Sequence, residues 1–442
     1  MLIKDYFRIP MLLIYTPKST QRITYTFNHV CKRILGLQIN FTSSIEEFIA
    51  YSGAKISYGK KELGNELFIQ STDLLLQEGF DSIDIVVKDW EETKCFFSVG
   101  KNSSLPFDIF SASFYLISRY EEYLPHVKDH KGRFLASESI AFKSEFLEAP
   151  VVDIWAYKFK KLLLKYFPEL NFLNRNPTVH TLLHAGHPFL YQSKGVLRSL
   201  VGYLDDLIKF NIKNIFNRTS VLSGFRKDPF NTFKWVINSV KKNKNTLTVF
   251  FLLGDSKNYQ ESLSAQKSAL KLLIKNISDY KEIGLLFSFA ALKSLKTQND
   301  EKEKIEAITN RRLVSSINDQ YLVSLPHNYR NLVELEVKKD FTMVYESIIG
   351  FRASTCTPFL FYDLDYEIVA PLLIHPIAMT TKAFDGVSTA KRRGVVEKIK
   401  NSVLEVNGTF SMIFYNYNFI NSKRNMVWKK MFSELNKLQL NE

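Results

Sequence analysis

The sequence predicts an α/β protein in two parts, a smaller N-terminal α/β domain followed by a larger domain built on parallel strands. Three observations carry that expectation. Short, strongly apolar runs at 179–183, 247–253, 283–289, 372–374 and 410–415 alternate with longer helical or irregular stretches, the pattern of strands buried on both faces. Residues 11–150 instead mix short β-rich runs with one clear helix. The chain has 442 residues, 45% of them hydrophobic and 14% aromatic, which is enough to fill more than one core.

Taken in order, residues 1–10 are broken by charges and by Pro10, lack the apolar centre of a secretory signal, and are expected to form a tail. A strand begins at Met11 and ends at the turn proline Pro17, and the runs 67–70 and 83–87 are β-rich. Residues 107–123 predict a helix that starts after Pro106, places Phe107, Phe110, Phe114 and Ile117 at helical spacing, and stops before Pro125. In the loop 125–134, His126 and His130 have a spacing that suits a metal only on a helix. A polar loop containing Gly132 reads instead as a surface or inter-domain contact. The helix predicted at 151–167 lies between Pro150 and Pro168 and carries Trp155, Phe159, Leu162 and Leu163, and residues 151–176 form a connector and linker. The second domain then occupies 177–442. Within it, 196–218 is a basic amphipathic stretch that either packs over the domain or lies on an anionic membrane surface, with packing the favoured role. Residues 296–312 predict a solvated, charge-rich helix.

The net charge of +14 comes from 59 Lys and Arg against 45 Asp and Glu interspersed along the chain, a solvated surface rather than a nucleic-acid footprint. Cys31, Cys95 and Cys356 are far apart and lack metal-ligand spacing, so neither a disulfide framework nor a zinc knuckle is implied, and a reducing cytoplasm is the expected location. No run reaches the ~18 apolar residues of a membrane-spanning helix.

The stretch 350–364 (GFRASTCTPFLFYDL) resembles the arginine motif of bacterial polysaccharide deacetylases that carry an extra N-terminal domain. The likeness extends from Met11 to about residue 430 and includes Tyr191-Gln192-Ser193-Lys194-Gly195, 228–233 (DPFNTF), 247–255 (LTVFFLLGD), 328–332 (NYRNL) and His375-Pro376. It implies an incomplete or distorted βα barrel of the deacetylase type, with function at the C-terminal ends of its strands. It also implies metal-dependent removal of acetyl groups from N-acetylated sugars in bacterial surface-polysaccharide metabolism.

Such hydrolysis needs a metal to acidify water, a base and an acid. The family's paired aspartates on the first strand correspond here to His184 and Gly186. Its metal-binding histidine on the third strand corresponds to Leu286, and its general-acid histidine near the C-terminus to Tyr415. Arg352, which orients the catalytic carboxylate in the active relatives, is retained, as are Asp363 and His375. Three of the eight histidines, His180, His184 and His187, fall within eight residues. His180 and His184 share a strand face but lie ~13 Å apart along it, too far to hold one ion at ~2 Å. His184 and His187, joined by a turn, are the remaining metal candidates.

The expected function is therefore that of a catalytically impaired deacetylase-like protein that binds a glycan, a polysaccharide precursor or a protein partner, without nucleic acid and without a resident cofactor. Arg352, Asp363, Tyr415 and Phe189 are its candidate binding residues. Two other readings stay open. One is an active zinc-dependent amidohydrolase rebuilt around His184, His187, Arg352 and His375. The other is a structural or assembly subunit whose pocket is filled by Leu286 and Phe287.

Overall fold

The computed structural model describes residues 11–192, 196–240, 247–254 and 264–437. The expected tail at 1–10, the pair Lys194-Gly195 and Asp255 lie outside the described residues. The structure is mixed α/β with parallel sheets.

The first sheet contains β1 (Leu12–Tyr15), β2 (Ile39–Thr42), β3 (Lys55–Gly59) and β4 (Leu67–Gln70), all parallel, in the order β2-β1-β3-β4. A hairpin of β5 (Lys88–Trp90) and β6 (Thr93–Cys95) follows. The run 83–87, read as β-rich, is irregular: Ile83, Ile85 and Val87 pack against the core, but no neighbouring strand is there to pair with them.

The single helix expected over 107–123 is two, Ile109–Ile117 and Tyr120–Tyr123. Asp108 caps the first by accepting from the amides of Phe110 and Ser111. Between the two helices Arg119 adopts a left-handed conformation with φ 56°, which turns the chain so that Arg119, Glu121 and Glu122 point into the protein rather than along an exposed face. All three are buried.

The larger sheet has nine strands: β7 (Thr178–Ala185), β8 (Leu247–Leu252), β9 (Glu282–Phe287), β10 (Ser315–Asn318), β11 (Lys339–Asp340), β12 (Phe359–Asp363), β13 (Ile368–Ile374), β14 (Met379–Thr380) and β15 (Thr409–Tyr415). Their order is β12-β13-β11-β10-β9-β8-β7-β15-β14, parallel throughout except for β12 against β13. Among the described residues the ladder does not close into a ring. The chain leaving β13 crosses the gap instead: Ile377 N–H donates to the Met343 carbonyl on one side, and Ala378 N–H to that of Ser411, in β15, on the other.

Strand alternation sorts the side chains. Leu182, Phe250, Leu286, Ile317, Ile413 and Tyr415 point inward and form a buried cluster with Tyr321, Phe341, Val344 and Ile377. Leu183, Phe251, Leu285, Phe287 and Phe414 point outward into the main core. That main core is continuous between the two parts of the chain. The connecting helix Val151–Tyr166 sits in it, with Trp155 and Phe159 packed edge-on against Phe107 and Phe110 at 5.2 and 5.5 Å between ring centres. At the seam Tyr25 donates to the Leu360 carbonyl at 2.7 Å, and Arg22 pairs with Glu367.

Candidate functional site

The C-terminal ends of β7, β9 and β15 bring His184, Gly186, Leu286 and Tyr415 together. The His184 and Tyr415 rings are 4.9 Å apart between centres. A Cβ placed on Gly186 would lie 2.8 Å from His184 Cε1 and 3.2 Å from a Leu286 methyl, so these three side-chain positions share one small space. Leu286 is 0% exposed there, as part of the inward-facing apolar cluster. The Tyr415 hydroxyl meets that of Tyr321, just beyond β10, at 2.6 Å.

His184 Nδ1 accepts the Gly186 amide at 3.3 Å, which leaves its proton on Nε2. Burial, with Lys382 and His187 nearby, pushes its pKa down to about 3, so the ring is neutral at physiological pH. Burial raises Tyr321 and Tyr415 well above the usual phenol range. His180, one layer deeper on the same face of β7, contacts Phe341 rather than this group and bonds Thr248 Oγ1 at 2.9 Å. His375 stacks on the other side of that layer, 4.4 Å from Phe341.

Residues absent from the sequence-based expectation surround this group. Glu346 bridges Lys382 at 2.7 Å and Arg133 at 2.7 Å, and these two cations hold its carboxyl low against the upward push of burial. Arg133 also donates to the Gln320 carbonyl at 3.0 Å, so the loop 125–134 reaches the residues that follow β10. Asp319 follows β10, and burial raises its pKa against opposing pulls that include His187. Lys382 lies over the Tyr415 ring at 4.8 Å, and Tyr417 stacks on that ring at 5.1 Å. Asn416 ties two loops together by donating to the carbonyls of His187 and Phe230. Asp228 accepts the amides of Leu190, Tyr191 and Gln192, anchoring the chain that leaves β7. No sequence signal marks Glu346 or Lys382 as neighbours of residue 184. Glu346 comes from an irregular segment and Lys382 from the short helical turn Thr381–Phe384, and only the fold brings them there.

The structure places other candidates elsewhere. Arg352 is buried and forms a two-pronged pair with Glu122 at 2.9 and 2.7 Å, so it ties the segment before β12 to the helix Tyr120–Tyr123. Asp363 pairs with Arg330 at 2.5 and 2.7 Å and accepts the Asp365 amide. Phe189 and Tyr415 are both buried, so neither offers a ring face to a sugar. Phe287 points to the opposite face of β9, into the main core. Of the three positions that correspond to metal ligands only His184 carries a donor, and among the described residues no group of three or more His, Cys, Asp or Glu side chains can hold an ion. These residues do not fit a catalytic zinc. A separate cavity, lined by Glu282, Arg311 and Lys339, opens at the opposite, N-terminal ends of β9 and β11.

A family profile described as a family of unknown function, DUF7033, matches residues 12–168. No curated protein sequence matches the chain. Among solved structures the chain is similar to a protein assigned as a polysaccharide deacetylase from Mycobacterium smegmatis, with a TM-score of 0.37 and 10% identity over 60% of this chain and 85% of that one. It is also similar to the allantoinase PuuE, with a TM-score of 0.36 and 9% identity over 60% and 85%. Likenesses this distant leave function to be argued from the residues.

Proposed function

We propose that the protein is a deacetylase-like barrel that binds a glycan at its mouth without hydrolysing it. One observation carries the reading: the side chain of Leu286 packs against Gly186, beside the His184 ring, with no exposed surface. A leucine in place of a third ligand supplies no lone pair and excludes water, so water there gains no acidity from a metal, and a neutral histidine alone offers only the ~10²–10⁴-fold of general base catalysis. Binding remains available around that plug. Tyr417 and Phe230 are half-buried rings 5.9 Å apart, while Glu346, Lys382, Asp319 and His187 supply donors and acceptors of both signs. A rim of aromatic faces and paired polar groups suits a neutral sugar chain.

Two measurements test this. Purified protein supplied with zinc, cobalt or nickel is expected to release no acetate from N-acetylglucosamine oligomers. Calorimetric titration with the same oligomers is expected to give saturable binding that Tyr417→Ala weakens about tenfold, the loss of one stacked ring. Turnover abolished by a chelator would overturn the hydrolytic half of the reading. Restoring His184→Asp, Gly186→Asp and Leu286→His together is expected to create metal binding, detectable by elemental analysis. Gly186→Asp alone would collide with the present His184 ring.

A second reading, an assembly subunit with no ligand at the mouth, draws on the filled interior and on the continuous core shared with the N-terminal unit. Absence of any oligosaccharide binding, with the fold intact, favours it.

A further inference from the structure

The connection from β7 to β8 carries two helices, Val196–Ile208 and Ile212–Leu222, packed side by side. Their seam is polar. Tyr203 and Thr219 share a hydroxyl bond at 2.9 Å, Asp206 pairs with Arg218 at 2.7 Å, and Asn214 donates to Asp206 at 3.2 Å. A Cβ on Gly202 would strike the Arg218 guanidinium at 2.3 Å, so the helices meet closely along this polar line.

At 100° per residue, Leu200, Val201, Leu204, Leu207 and Ile208 fall on one arc of ~120° on the first helix, turned away from Gly202, Tyr203 and Asp206. All five are exposed. The pair is thus inverted relative to a helical hairpin of a water-soluble protein, with polar groups inside and apolar groups outside. Ten of the twenty-six large apolar side chains exposed among the described residues lie between Leu200 and Phe225, a concentration far beyond single scattered residues. Phe210, in the turn joining the helices, and Phe225, beyond the second, are each 88% exposed.

The accompanying charge is basic. Lys209 and Lys213 flank the turn, and Arg226 and Lys227 follow Phe225, all four exposed. The two acidic residues of the pair are engaged, Asp205 with Lys209 and Asp206 with Arg218. Lys213 and Lys227 form no ion pair among the described residues. An apolar ridge bordered by lysines and arginines complements a surface that is apolar below and negatively charged above, which is the cross-section of an anionic phospholipid leaflet. No helix among the described residues is long and apolar enough to cross a membrane, so the fit is to lying in the interface.

We propose that the helix pair 196–222, with its flank to Lys227, docks the protein onto an anionic lipid bilayer surface. Phe210 and Phe225 enter the acyl boundary, and the flanking cations meet the headgroups. The pair leaves the C-terminal end of β7, so docking would hold the barrel mouth beside the membrane. This inference stands independently of what the mouth binds.

Co-sedimentation of the full chain with phosphatidylcholine vesicles, with and without phosphatidylglycerol, tests it. Binding is expected to the phosphatidylglycerol vesicles and to weaken with added salt. The double variant Phe210→Ser/Phe225→Ser is expected to lower the partition coefficient at least ~tenfold. Lys213→Glu/Lys227→Glu should do the same on the anionic vesicles only. Both pairs are exposed, so an unchanged melting temperature certifies the fold of each variant. The proposal is overturned if the unaltered chain stays in the supernatant, or if both variants sediment like it. It is equally overturned if the chain ignores vesicles and self-associates in solution through a contact that the phenylalanine variant abolishes, which would make a second copy the occupant.

Discussion

Arg352 sits in the most family-like stretch of the sequence, yet its partner is a carboxylate more than two hundred residues earlier. Glu122 is fully enclosed between Arg352 and Arg119. Burial alone would raise its pKa, but the two guanidiniums and their hydrogen bonds outweigh it and bring it down to about 2. Removing one partner of such a group leaves an uncompensated buried charge, at a cost of ~3–5 kcal/mol. Arg352→Ala is expected to lose that much in urea unfolding, and Arg352→Lys a large part of it, because an ammonium cannot reproduce the paired hydrogen bonds of the guanidinium. The pH dependence has a definite sign. A carboxyl whose folded pKa lies below the ordinary 4.5 stabilises the fold above that value, and the contribution is lost as the pH falls toward 2. That acid limb should shrink in Arg352→Ala. An activity defect without a stability defect would return Arg352 to the site.

At the scale of elements, the segment 350–364 holds the two halves of the chain together. Asp153, in the first turn of the connecting helix, accepts from the Thr355 and Thr357 hydroxyls and from the Cys356 amide, all buried. Asp153→Ala strands three donors at once. The expected loss is ~2–4 kcal/mol by denaturant titration, while Asp153→Asn, which keeps an acceptor, should cost less. A loss below ~1 kcal/mol for the alanine variant would mean that water or a local shift satisfies the donors. The connecting helix itself was legible because two prolines bracket it and its aromatic face has one period. The strands of the large sheet were legible where they are apolar on both faces, as in 247–252 and 410–415. By contrast, β10 reads Ser-Ser-Ile-Asn and β11 Lys-Asp, too short and polar to register as strands, although they lie at the centre of the ladder. The helix expected over 107–123 breaks at Arg119, where hydrophobic spacing does not register the left-handed turn that carries Arg119 inward to pair with Glu121 and Glu122. The neighbourhood of residues 184, 186, 286 and 415 followed from pattern and resemblance. The placement of Arg352 did not, since only tertiary packing decides which carboxylate it meets. For 196–218 the amphipathic period was visible, but which side faces solvent was not, and the structure exposes the apolar side where packing had been favoured.

For the molecule as a whole, the histidines set the response to acid. His29 is fully buried at the seam between the two parts, and His180, His184 and His375 are half-buried along the inner face of the large sheet. Burial pushes all four below the ordinary 6.5, to about 3 for His29, His184 and His375 and about 4 for His180. Once unfolded, each ring takes up a proton near pH 6.5 that the folded protein refuses until much lower pH. Acidification therefore favours unfolding, by up to ~2 kcal/mol at pH 5 for a ring fully excluded from water and less for the half-buried ones. Asp340 works in the opposite direction. It is buried in β11 of the large sheet, and although the Thr342 amide and hydroxyl oppose the shift, its carboxyl is raised by burial to about 7. It therefore holds a proton between about 7 and 3.8, where the unfolded chain has released it, so acidification relieves a penalty there. Burial raises Glu121 and Asp319 in the same direction, but the four histidines outweigh these acids. Stability measured by urea unfolding is expected to fall steadily from pH 6.5 toward pH 4, and Asp340→Asn, which removes one opposing group, should fall more steeply than the unaltered protein. A flat profile across that range would mean that His180, His184 and His375 are protonated in the folded state, and hence that water reaches them past Leu286 and Phe341.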